Sequence, residues 1–260
     1  DSGSGSLRAA LQSANATGDT DTIVFDSALS GTVNLGVANG ALTISSPVSI
    51  QGPGSSSVTI DANATVTDKF RVFEISGAAS NVTITGLTLT GGIVDDGGGG
   101  ILFRSADTLT LVDTVVTGNV AANGGGIYSE YEGNLVLQSS TISGNTAESS
   151  KGGGIHAVDG DVSLTDSTIS GNFAYGGGGG IFSQYAGNIN VTNSQITNNE
   201  VTEAGYHGGG IYGGNGDVTL TGSTVSGNES KGDGGGLYSY KGSVAISNTT
   251  ITGNKADYGG

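Results

Sequence analysis

The chain has 260 residues, 50 of them glycine and two proline, with no cysteine, methionine or tryptophan. Its 23 acidic and 8 basic residues leave a formal charge of −15, which repels nucleic acid and anionic membranes and excludes both as expected partners. Without cysteine there is neither disulfide nor thiolate metal site; no apolar run is long enough for a transmembrane helix, and the glycines cluster where collagen would space them by three.

The segment GSLRAALQSANATG opens the chain with helical periodicity. Leu7, Ala10, Leu11 and Ala14 share one face, Ser6 is placed to cap the helix and Gly18 to end it. We read residues 1–22 as a cap over the open end of a solenoid, whose terminal repeats need such cover. The opening Asp1 and the lack of methionine fit a processed or excised segment.

From 23 to 92, ALTISSPVSI, SVTIDA, FRVFEIS and NVTITGLTLTGG alternate apolar and polar residues as short, half-buried strands do. These read as irregular coils. From 93 to 260 the pattern becomes a repeat. Glycine triplets precede Ile101, Ile127, Ile155, Ile181, Ile211 and Leu237, at steps of 26, 28, 26, 30 and 26. Each repeat closes on an asparagine: Asn119, Asn145, Asn172, Asn199, Asn228 and Asn254.

Within a repeat lie three period-2 segments, such as Ile155–Ala157, Val162–Leu164 and Thr168–Ser170. No such coil can bury its apolar face alone, so each must stack on the next. The chain is therefore expected to be all-β: one right-handed parallel β-helix domain over 1–260, with three strands per coil, about nine coils and a short N-terminal helix. Ile127, Leu135, Leu137 and Ile142 point inward. The glycines provide positive φ and close approach of coils, and the closing asparagines stack as an amide ladder.

The paired signature, GGGI at each coil start and SGN or TGN at its close, resembles repeats of bacterial surface β-helix proteins, the polymorphic outer-membrane, autotransporter-like adhesin group. The leading DSGSGSLRAALQSANA resembles the capping segment of large secreted bacterial β-helix proteins. The resemblance implies a secreted or cell-surface location in a bacterium and a rigid, adhesive role.

Several side-chain columns bear on function. Beside the inward Ile or Leu, alternation places Phe103, Tyr128, His156, Phe182, Tyr212 and Tyr238 outward, a ring-faced stripe suited to sugars or a partner chain. The insertions before each triplet vary in length, longest in EVTEAGYH (200–207), and gather Tyr175, Glu203, Tyr206 and His207 on the edge where solenoids bind. On the third strand, Thr141/Ser143, Thr168/Ser170, Thr197, Thr224/Ser226 and Thr250/Thr252 form outward hydroxyl columns that resemble the ice-binding face of antifreeze β-helices. Val115 and Gln195 interrupt them.

Polysaccharide lyases and hydrolases that share this fold need carboxylates clustered with Arg or Lys on neighbouring coils. Here Arg8, Arg71 and Arg104 read as scattered, and only Glu132 and Asp159 stack on adjacent coils. Asp161, Asn188, Asp217 and Ser243 share another column. No catalytic residue and no cofactor is expected, beyond a weak structural calcium near Glu132 and Asp159. His156 and His207 lie on different coils without cysteine partners, so no transition-metal site is expected.

The expected function is thus a non-catalytic stalk or adhesive module that binds a surface polysaccharide or cell-surface ligand. Ice binding and a carbohydrate-active enzyme are the alternatives. ITGNKADYGG ends where a new triplet would begin, leaving Leu237, Val244, Ile246 and Ile251 on an uncapped coil, so self-association or a following domain is expected there.

Overall fold

Short runs of β-branched and hydroxyl residues, bounded by turns with positive φ, fold into strands that pair only with the equivalent run one repeat away. The computed structural model describes residues 3–77 and 81–259. All strand pairs run parallel, in two nine-stranded sheets, one of eight strands and one of six. We call them sheet I (from Asp21–Val24 to Val244–Ser247), sheet II (Gly31–Asn34 to Thr250–Thr252), sheet III (Leu42–Ile44 to Leu237–Ser239) and sheet IV (Val120–Ala121 to Lys255–Ala256). A regular coil runs III, I, II, IV and back to III, as in Ile155–Ala157, Val162–Thr165, Thr168–Ser170 and Phe173–Ala174.

This is the expected parallel solenoid of about nine coils, with one addition. The regular coils carry a fourth strand of two residues, too short for alternation to reveal. Its inner residues Ala147, Ala174 and Val201 form a small buried cluster of their own. The upstream coils are irregular in their turns, whereas their strands enter sheets I to III in register: Ile50 pairs with Ile84, Ile60 with Leu89 and Phe73 with Ile101.

The core is a column of stacked aliphatic rungs. Ile155, Val162 and Ile169 are fully buried, and Leu164 nearly so. The helix Leu7–Thr17 covers the first coils as expected: Ser6 accepts from the Ala9 amide at 3.2 Å, Gly18 ends it with φ 75°, and Leu7, Leu11 and Ala14 are buried. Asn15 ties it to sheet III, donating to the Thr43 carbonyl at 2.9 Å and accepting from the Ser45 amide at 2.8 Å. At the other end Val244, Ile246 and Ile251 are exposed, while Leu237 packs partly buried against the core.

Polar ladders hold the turns. Asn145 Nδ2 and the Asn145 amide both donate to Asn172 Oδ1, each at 3.0 Å, and the pattern repeats from Asn119 to Asn254. Ser140, Ser167, Ser194 and Ser223 form a second ladder, each accepting the amide of the rung before. The asparagine ladder is legible from spacing; the serine one is hidden among ordinary turn serines. In the triplet, Gly152 has φ 68°, and a Cβ on Gly153 would meet Phe173 O at 2.4 Å and Gly179 O at 2.5 Å. The first glycine is thus needed for its dihedral and the second for coil-to-coil contact.

Candidate functional site

The outward positions of sheet III carry the ring column. Tyr128, His156, Phe182, Tyr212 and Tyr238 pair successively in register. Ring centroids are 5.0 Å apart for Tyr128–His156 and His156–Phe182, 4.4 Å for Phe182–Tyr212 and 5.3 Å for Tyr212–Tyr238. Phe103 does not belong to it. The strand Ile101–Arg104 turns Leu102 outward to pair with Tyr128, so Phe103 points inward, fully buried against Gly133.

The stripe is not uniformly open either. His156 and Phe182 are buried, with Lys151 Nζ 4.7 Å above the Phe182 ring. They form a floor, and Tyr128, Tyr212 and Tyr238 remain half-buried beside them. Burial raises the pKa of the Tyr128 and Tyr212 hydroxyls, keeping them protonated donors. Burial lowers His156 to about 4, so its ring is neutral; Nε2 is 3.0 Å from Gln184 Oε1, and Nδ1 is buried without a partner.

The insertion edge merges with this column. His207 lies on Tyr238, centroids 4.5 Å apart and planes 16° apart, and its Nδ1 accepts from the Asp233 amide at 2.9 Å. Tyr175 and Tyr206 sit 6.5 Å apart, and a hydrogen bond to Glu203 raises the Tyr175 pKa. The insertion edge and the ring column therefore share one surface, joined across coils by His207 and Tyr238.

Sequence reasoning missed a third set. Tyr131, Tyr185 and Tyr240, each close to half exposed, line the turn from sheet III to sheet I. With Tyr175, Tyr206 and Tyr258 on the opposite turn, all nine tyrosines of the chain lie on sheet III or on the two turns that flank it. The spacing in IYSEY and LYSYK carries that signal once tyrosine positions are compared between repeats.

The arginines are not all scattered. Arg71 and Arg104 meet at Glu74, whose two carboxylate oxygens lie 3.2 Å from Arg71 Nη1 and 3.3 Å from Arg104 Nη1. Arg71 also pairs with Asp96, Arg104 with Glu130, and Lys69 with Asp95 at 2.5 Å. Glu130 raises the Arg104 pKa, chiefly through its hydrogen bond. The cluster joins residues of three coils on the outer face of sheet III, because Glu74 pairs with Leu102 and Leu102 with Tyr128. No sequence interval announces this, since Asp96 and Lys69 come from turns.

The remaining candidates lie elsewhere. Thr141, Thr168, Thr224 and Thr250, with Ser143, Ser170, Thr197, Ser226 and Thr252, are in register on sheet II, broken at Val115 and Gln195. Glu132 is exposed, and Asp159 accepts from the Ala186 amide at 3.3 Å. Asp161, Asn188 and Asp217 form a side-chain ladder, each accepting the amide of the next rung at 2.7 to 2.9 Å. Among the described residues no three His, Cys, Asp or Glu side chains are grouped to hold a metal, and no helix is long and apolar enough to cross a membrane.

Residues 41–178 and 138–259 match the family described as the right-handed beta helix region. No curated protein and no solved structure gives a significant match.

Proposed function

The chain belongs to the right-handed β-helix family, and we propose that it is a rigid, non-catalytic binding rod of a secreted or surface-displayed bacterial protein, holding a glycan along the outer face of sheet III. The observation that carries this reading is the confinement of all nine tyrosines to that face and its rims. Tyrosine presents a flat apolar ring with a hydroxyl at its edge, the pairing a sugar needs for its C–H face and its hydroxyls. It has few rotatable bonds, so ordering it on binding costs little. The stacked floor of His156 and Phe182 fixes the rings above an immobile solenoid, which limits that cost further.

A non-catalytic role is favoured because Glu74, Asp95, Asp96 and Glu130 are all committed to ion pairs with Lys69, Arg71 or Arg104. Such carboxylates are positioned acceptors. The test is binding of the protein to immobilised oligosaccharides of different composition, beside Tyr212→Ala and Tyr238→Ala. Binding that both substitutions weaken supports the reading; equal binding by all three proteins removes it.

A second reading rests on sheet II, whose hydroxyl columns are held in register over successive coils. There the rod would bind ice, and a bulky charged residue at Thr168 would abolish shaping of ice crystals. Normal ice growth in the presence of the wild type rules it out.

A further inference from the structure

At the N-terminal end of the tyrosine face lies a groove of about 490 Å³, lined by Ala41, Lys69, Phe70, Arg71, Glu74, Val94, Asp95 and Asp96. It is collinear with the ring column, because Glu74, Leu102 and Tyr128 are successive rungs of the outer row. Arg71 is only 7% exposed, and its Nε is buried without an acceptor. A buried arginine held between carboxylates is a weak source of stability, since desolvation offsets much of the attraction. What the arrangement does achieve is to fix Glu74 and Asp96 in place.

We propose that this groove is the end subsite of the glycan track and selects a hydroxyl-rich sugar residue that carries no anionic group. The proposal rests on the glycan-binding reading of the sheet III face. The selectivity follows from pairing. Lys69 is matched by Asp95, and Arg71 and Arg104 are matched by Glu74, Asp96 and Glu130. Among the described residues an anionic sugar finds no cation without a partner in this groove, and it meets a chain of net charge −15 besides. Sugar hydroxyls need no unpaired cation, because each paired carboxylate keeps lone pairs that accept O–H donors, and hydrogen bonds to charged acceptors are the stronger kind. The side chains of Asp95 and Asp96 are 80% and 57% exposed, so those lone pairs face the groove opening. Phe70 supplies an apolar wall against which a sugar ring can pack.

The experiment titrates the full chain with neutral hexasaccharides of glucose, mannose and N-acetylglucosamine, and with a hexamer of galacturonate, at low and high salt. The proteins compared are the wild type, Glu74→Gln with Asp96→Asn, and Tyr238→Ala. The expected result is saturable binding of a neutral hexamer, independent of salt, weaker by about tenfold in the Glu74/Asp96 variant, as loss of one or two charge-assisted hydrogen bonds implies. The galacturonate hexamer does not bind. If that variant fails to fold, the rim pair Lys69→Gln with Asp95→Asn takes its place, with a several-fold loss expected. Tighter binding of galacturonate overturns the proposal. Neutral binding that Tyr238→Ala weakens and the groove variants leave unchanged overturns the groove alone. A wild type that binds none of the probes overturns the glycan reading of the face together with it.

Discussion

His207 lies flat on Tyr238, with ring planes 16° apart and centroids separated by 4.5 Å. One residue closes the longest insertion of the repeat and the other is the last rung of the ring column. Their stacking makes the variable edge and the regular sheet a single surface, so a ligand that touches one touches the other. Replacing His207 with alanine should therefore weaken glycan binding several-fold, in line with about 0.5–1.5 kcal/mol for an aromatic contact. Calorimetric titration checks this, and an unchanged affinity would separate the edge from the site.

The asparagine ladder should dominate stability at the coil corners. Asn172→Ala removes the acceptor of the Asn145 amide and Nδ2 and the donor to the Ile142 carbonyl, all of them buried. Leaving such groups unpaired costs about 1–3 kcal/mol each, so a loss of about 3 kcal/mol or more is expected in denaturant unfolding. A change below about 1 kcal/mol would mean that water replaces the amide.

Gly153→Ala should also be damaging, for a different reason. Its added methyl would sit 2.4 Å from Phe173 O and 2.5 Å from Gly179 O, both backbone atoms. Overpacking of this kind costs about 1–3 kcal/mol. Gly171→Ala has nothing within 4 Å and strains only a positive φ of 61°, so it should cost less. Thermal melts of the two variants rank these effects directly.

His156 gives the fold a defined acid response. Burial lowers its pKa from 6.5 to about 4, so the unfolded chain binds a proton that the folded chain refuses. Stability from this group is complete above about pH 6.5 and falls as the pH drops towards about 4, by on the order of 3 kcal/mol. His156→Phe, which keeps a ring between Tyr128 and Phe182, should remove that component. Unfolding measured at pH 7 and pH 4.5 should then differ less in the variant than in the wild type.

How much of this was legible in the sequence depended on period. Ile155, Val162 and Ile169 recur at fixed offsets with polar neighbours, so their inward direction could be read without a structure, as could the cap at Ser6 and the stacking of Asn145 on Asn172. Leu102 and Phe103 could not be assigned by the same rule. Three large apolar residues in a row, Ile101 to Phe103, erase the alternation, and only pairing with Tyr128 and Ser129 decides which side chain enters the core. The two-residue strands of sheet IV are shorter than any period. The groove was illegible because Lys69, Asp95 and Asp96 come from turns, where spacing in sequence says nothing of proximity. Of the two tyrosine rims, the insertion edge with Tyr175 and Tyr206 is legible from its variable length, whereas Tyr131, Tyr185 and Tyr240 sit in turns of ordinary length that only a comparison of tyrosine positions between repeats reveals.

The absence of tryptophan makes the most direct measurement simple. With nine tyrosines and no tryptophan, tyrosine emission arises wholly from the sheet III face and its rims. Acrylamide quenching should be followed while neutral hexasaccharides are titrated into the native protein. The expected result is a saturable fall in quenching, as the bound glycan shields Tyr212, Tyr238 and the rim tyrosines, with no such fall for the galacturonate hexamer. Quenching that stays constant with every oligosaccharide up to millimolar concentration would contradict the assignment of this face as a glycan-binding surface.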